Sequence, residues 1–121
     1  MLVVDASAVC EALLRRDRGD VVQQAFAEHD HDLHAPHLVD VEVLSTLRRF
    51  VARGWMSRAR AEEALQDLAD LPLARYAHAP LAPRIWELRE SISAYDATYV
   101  ALAEALSEGG AVLLTSDARL A

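Results

Sequence analysis

Apolar residues fall along the chain in two rhythms. The short unbroken runs Leu2-Val3-Val4 and Val112-Leu113-Leu114 are bounded by polar residues and suit strands covered on both faces. Between them apolar positions recur at helical spacing, as in Val43, Leu47 and Phe50 or Leu44, Leu47 and Val51. This pattern predicts strands at 2–4, 33–35, 73–78 and 111–114, and helices at 7–16, 20–29, 38–53, 57–70, 82–91 and 94–108. Strands alternate with helices, so the expected fold is α/β, a three-layer α/β/α sandwich with a mainly parallel central sheet.

No Pro/Gly/Ser-rich linker or repeat interrupts the pattern, and 121 residues at 53% apolar content suit one domain over 1–121 with one continuous core. The N-terminus has no basic region and meets an acid at Asp5, and no apolar run approaches the length of a bilayer span. A cytoplasmic protein with no membrane association is expected. Cys10 stands alone in an apolar helical stretch and is expected to be a small buried thiol.

Charge sharpens the picture mainly by exclusion. All 12 basic residues are arginine, so a phosphate-binding loop that needs Gly-Lys-Ser/Thr is ruled out. Receiver domains and haloacid-dehalogenase-type phosphatases, which also gather acids at strand ends, are expected to need a lysine as well. A net charge of -7 argues against a generally basic nucleic-acid surface, although an acid cluster holding a cation would account for part of that excess.

Four acids sit at boundaries that an open α/β sheet would turn toward one crevice. Asp5 closes the first apolar run and Asp117 follows the last one, which places both just past the C-terminal ends of strands, where ligands bind in such sheets. Glu42 lies off the apolar stripe of its helix, on a side shared with Ser45, Thr46 and Arg49; it can lean toward Asp5 or face water. Asp40 points to another side and reads as a first-turn helix-dipole acid. Asp96 lies three residues after Ser93, the capping-box spacing, and a helix start there can also face the crevice. Tyr95 and Tyr99 flank it as core or crevice-wall residues. Carboxylates gathered in one place raise one another's pKa unless a cation neutralises them, and hard divalent cations prefer oxygen ligands. The four together read as a metal site.

The segments Val3-Val4-Asp5-Ala6-Ser7-Ala8, Glu42 in a helix after Ala35-Pro36, Tyr95-Asp96-Ala97-Thr98-Tyr99-Val100-Ala101-Leu102-Ala103 and Leu114-Thr115-Ser116-Asp117-Ala118-Arg119-Leu120-Ala121 resemble, in order and spacing, a PIN-domain ribonuclease of the VapC toxin group. The resemblance spans the whole chain. It implies a metal-dependent endoribonuclease of a type II toxin–antitoxin system, with Asp5, Glu42, Asp96 and Asp117 holding Mg²⁺ or Mn²⁺ and Ser7 and Thr115 as nearby hydroxyl partners. It further implies cleavage to a 5′-phosphate and a 3′-hydroxyl, a VapB-like antitoxin whose C-terminal segment crosses the active-site groove, and a homodimer. The chain ends four residues after Asp117, where the family fold usually continues, so a PIN-like domain lacking a final edge strand or tail is expected. A non-catalytic PIN-like module that binds RNA or protein is the alternative, with a metal-dependent DNA nuclease or phosphatase behind it.

Two clusters remain. Arg48, Arg49, Arg53, Arg58 and Arg60 bracket Gly54-Trp55-Met56-Ser57 and form a dense basic region, with Arg48, Arg49 and Arg53 as candidate RNA contacts and a pair of solvated helix ends as the plainer reading. His29, His31, His34 and His37, interleaved with Asp30 and Asp32, lack a zinc-ligand spacing and are expected to form a polar turn. Leu65, Leu68, Leu71 and Trp55 exceed one core stripe and suit either an antitoxin groove or ordinary burial.

Overall fold

A computed structural model describes residues 1–15 and 19–115. Strands β1 (Leu2–Val4), β2 (Leu33–Pro36), β3 (Leu73–Tyr76) and β4 (Val112–Leu114) form one parallel sheet in the order β3-β2-β1-β4. Helices α1 (Ala6–Leu14) and α2 (Gly19–Glu28) connect β1 to β2, α3 (Leu38–Ala52) and α4 (Arg58–Asp70) connect β2 to β3, and α5 (Ala82–Glu87) and α6 (Ala94–Ala105) lead to β4.

The strand β1 shows why three layers form. Its side chains alternate across the sheet. Leu2 and Val4 enter the larger core with Val9, Phe26, Val39, Val43, Leu47 and Leu68, whereas Val3 enters a second core with Leu81, Ala101 and Leu102. All three strand residues are buried, which is why the run is continuous rather than alternating in character. Cys10 is buried in a helix, as its apolar neighbours predict.

Most expected elements are present with shorter ends. The exception is the helix expected over 82–91, which stops at Glu87. It follows a single 3₁₀ turn at Ala79–Leu81 and buries no residue completely, so little packing rewards further turns, and Ser93 must be extended to cap α6. The helix expected over 94–108 ends at Ala105 and gives way to a 3₁₀ turn at Ser107–Gly109, after which Gly110 takes the left-handed conformation with φ 83°.

The histidine-rich run divides. Asp30 and His31 form a turn with φ of 55° and 54°, but His34 lies within β2, buried, with Nδ1 2.6 Å from the Tyr76 hydroxyl and Nε2 2.7 Å from Asp32. Asp40 does more than complement the helix dipole: its two oxygens accept from Arg75 Nε at 2.7 Å and Nη2 at 2.8 Å, which ties the start of α3 to β3. The amide of Leu38 at the same helix start donates to His78 Nε2 at 2.9 Å. Among the described residues no helix is long and apolar enough to cross a membrane.

Candidate metal centre at the C-terminal edge of the sheet

Asp5 leaves β1 and begins α1. Its backbone is extended and its Oδ1 accepts from the Ala8 amide at 2.9 Å, so the same carboxylate caps the helix. Ser7 Oγ donates to that oxygen at 2.7 Å and lies 3.3 Å from Thr115 Oγ1. Register explains the second contact: Val4 pairs with Leu114, and the Asp5 amide donates to the Leu114 carbonyl, so Thr115 emerges level with Asp5. Both hydroxyls therefore lie on the same side of β1 as the Asp5 carboxylate, with Ser7 in contact with each of the other two residues. Asp117 lies outside the described residues.

Glu42 projects from the second turn of α3 and does not face bulk water. It lines a crevice of about 320 Å³ together with Asp5, Ser7, Asp96 and Tyr99, and with Ser45, Thr46 and Arg49 of its own helix side. Tyr99, buried in α6, donates its hydroxyl to Glu42 Oε1 at 2.5 Å. Burial pushes the Glu42 carboxyl above its ordinary pKa; the Tyr99 hydrogen bond opposes the shift, and the charges of Asp96 and Asp5 add to it. Burial and the Glu42 charge in turn drive the Tyr99 hydroxyl far upward, so it stays a donor.

Asp96 sits in the first turn of α6. Ser93 caps this helix by accepting from the Asp96 amide at 3.1 Å, as the capping spacing predicts, while the Asp96 carboxylate forms no hydrogen bond or ion pair among the described residues and borders the crevice. Tyr95 is exposed on the surface, not in the core, and its neighbour Tyr99 alone reaches the crevice.

Three carboxylates from three elements thus border one space, and two of the helices present their N-termini to it. Among the described residues no three acidic, histidine or cysteine side chains stand close enough together to hold a metal ion between them. An all-oxygen donor set around an open, polar crevice fits Mg²⁺ or Mn²⁺, which bind through a few carboxylates and retain water.

The arginines divide among several surfaces. Arg49 lines the crevice, Arg48 lines an apolar groove of about 420 Å³ between α3 and α4, and Arg53 lies over the Trp55 ring at 5.0 Å. Arg58 pairs with Glu62, and Arg60 reaches the Leu13 carbonyl and Glu63. Of the surplus apolar residues, Leu65 lines the α3–α4 groove, Leu68 is core and Trp55 is exposed beside Phe50.

The amino-acid sequence matches the PIN domain family over residues 2–121, and the chain belongs to that family. Within it the chain is 48% identical over 120 residues to ribonuclease VapC9 of Mycobacterium tuberculosis, an alignment covering 99% of this chain and 88% of that protein. It is a member of the VapC ribonucleases. Among solved structures it resembles PAE2754 from Pyrobaculum aerophilum, with a TM-score of 0.71 and 25% identity over 98% of this chain and 76% of that one. It shares its fold with VapC20 of M. tuberculosis, a toxin that cleaves the sarcin–ricin loop, with a TM-score of 0.67 and 18% identity over 97% of this chain and 92% of that one.

Proposed function

We propose that the protein is the endoribonuclease toxin of a toxin–antitoxin pair, hydrolysing RNA phosphodiester bonds at a Mg²⁺ or Mn²⁺ site formed by Asp5, Glu42 and Asp96 with Asp117. The observation that carries this reading is the meeting of Asp5, Glu42 and Asp96 in one crevice although they arise from α1's cap, α3 and α6. A bound divalent ion would activate water and stabilise the charge that develops on the phosphodiester. The chain's own residues supply the order that this chemistry needs. Ser7 and the Ala8 amide hold one oxygen of Asp5, leaving the other for the crevice. Tyr99 orients Glu42, and the N-terminus of α6 offers partial positive charge beside Asp96 and an incoming phosphate.

A VapB-like antitoxin and a homodimer complete the reading. The α3–α4 groove, lined by Leu44, Leu47, Val51 and Leu65, suits apolar anchors of an amphipathic antitoxin segment, while a cation on that segment would pair with the acids. The test is cleavage of a total RNA pool with cleavage-site mapping, with and without Mg²⁺, beside Asp5→Asn and with DNA and phosphate-monoester arms. Metal-dependent RNA cutting by the wild type alone is expected. A wild type that binds RNA without cutting it would point to a non-catalytic module, and undiminished cutting by Asp5→Asn would remove the mechanism.

A further inference from the structure

We infer that Ser45, Thr46 and Arg49 form a subsite on α3 that receives an RNA phosphate next to the one being cleaved; this rests on the ribonuclease reading above. Glu42, Ser45, Thr46 and Arg49 are spaced i, i+3, i+4 and i+7, so they lie along one side of α3, and all four line the acid crevice. Seven residues of helix separate the backbone of Glu42 and Arg49 by about 10 Å along the axis, so Arg49 is anchored further along α3 than the turn that carries the acid, and its side chain lines the same crevice. Arg49 is exposed, its guanidinium lies 5.6 Å from the centre of the Phe50 ring, and among the described residues it pairs with no carboxylate. Its charge is therefore available to a ligand.

The contrast with the other arginines narrows the choice. Arg58, Arg60, Arg75 and Arg84 are engaged by carboxylates, and Arg48 faces the apolar groove. In a chain of net charge -7, the crevice repels a polyanion unless a local cation offsets the acids. A guanidinium matches a phosphate through two parallel N–H donors, and the two hydroxyls beside it can donate to the same phosphate or to a ribose 2′-hydroxyl. One charge anchored further along α3 would also fix the direction in which the strand crosses the acids.

The test uses a single-stranded RNA oligonucleotide spanning a cleavage site mapped in the total-RNA digest, and a series of the same oligonucleotide with one phosphate at a time replaced by a neutral methylphosphonate. Arg49→Gln should raise KM about tenfold and flatten the logarithmic salt dependence of binding by about 0.7, whereas Arg84→Gln, at an arginine held by Glu104 and Glu87, changes neither. At one flanking position the methylphosphonate should cost the wild type about tenfold and cost Arg49→Gln almost nothing. Arg49→Lys should recover the salt slope but only part of the affinity. Mn²⁺ binding measured by calorimetry should be unchanged or tighter in Arg49→Gln, since a positive charge has been removed. A wild type that neither binds nor cuts RNA would overturn the ribonuclease reading itself. A wild type that cuts RNA, with Arg49→Gln and methylphosphonate effects simply adding at every position, would overturn the subsite alone.

Discussion

Removal of the Tyr99 hydroxyl, by Tyr99→Phe, isolates the strongest polar contact in the crevice without opening a cavity. The ring stays buried in the larger core while Glu42 Oε1 loses its donor at 2.5 Å. A hydrogen bond to a charged partner contributes about 1.5–3 kcal/mol, but Glu42 is only half-buried and the crevice admits water, so a replacement donor reduces the net loss to about 1 kcal/mol. For a domain of this length that corresponds to a Tm lower by roughly 3–6 °C. The hydroxyl favours the ionised form of Glu42, against the burial that raises its pKa. The destabilisation should therefore be full where Glu42 is ionised and shrink as pH falls through its titration, which melts between about pH 8 and pH 4 would follow. A Glu42 released from its anchor should also hold metal less well, by about fivefold for 1 kcal/mol of lost orientation. Calorimetric Mn²⁺ titration measures this without any RNA. An unchanged Mn²⁺ affinity together with a pH-independent fall in Tm would show that Tyr99 serves packing only.

Three other outcomes follow from the same geometry. Glu42→Gln should be more stable than the metal-free wild type at neutral pH, because a carboxyl with a raised native pKa contributes stability fully below its ordinary pKa and loses it as pH rises through the raised value; thermal melts should show the gap closing under acid. Asp5→Asn retains a capping oxygen for the Ala8 amide but removes a buried charge, so metal-free melts should shift little or upward while calorimetric Mn²⁺ binding is lost. Arg75→Gln breaks the two-pronged pair with Asp40, and because both side chains are partly exposed the cost should be at most about 1 kcal/mol and should diminish in high salt, as denaturation at two ionic strengths would read.

The positions of Asp5, Glu42 and Asp96 were legible from the sequence because each depends on local rules. Asp5 ends a short apolar run, Glu42 shares a helix side with Ser45, Thr46 and Arg49, and Ser93 caps α6 at the expected spacing. What those rules leave open is the identity of distant neighbours. A helix side can face water or a crevice, and the partner that decides it for Glu42, Tyr99, lies 57 residues away on another element. The same holds for Asp40, whose dipole reading misses Arg75 at a separation of 35, and for His34, which falls within the strand expected at 33–35 but whose partner Tyr76 lies 42 residues away. The end of α5 was missed for the converse reason. Its sequence permits a longer helix, but the fold offers it no buried face.

The location of the crevice follows from topology more than from any single residue. The chain leaves β1 through α1 and α2 to pair with β2 on one side, and the route through α5 and α6 brings β4 to the other. Connections diverge at β1, and beyond the C-terminal edge of the strands this divergence leaves a gap that no crossover fills. Helices α1 and α6 both begin at that gap, so orphan amides and partial positive charge surround it; Asp5 caps α1 and Asp96 lies in the first turn of α6. Glu42 has no such compensation from its position in the second turn of α3. It depends on a hydroxyl from across the crevice, and burial raises its pKa. A cation in the crevice would offset the burial and the neighbouring charges that raise the Glu42 pKa, so metal binding should release protons from Glu42 as pH falls.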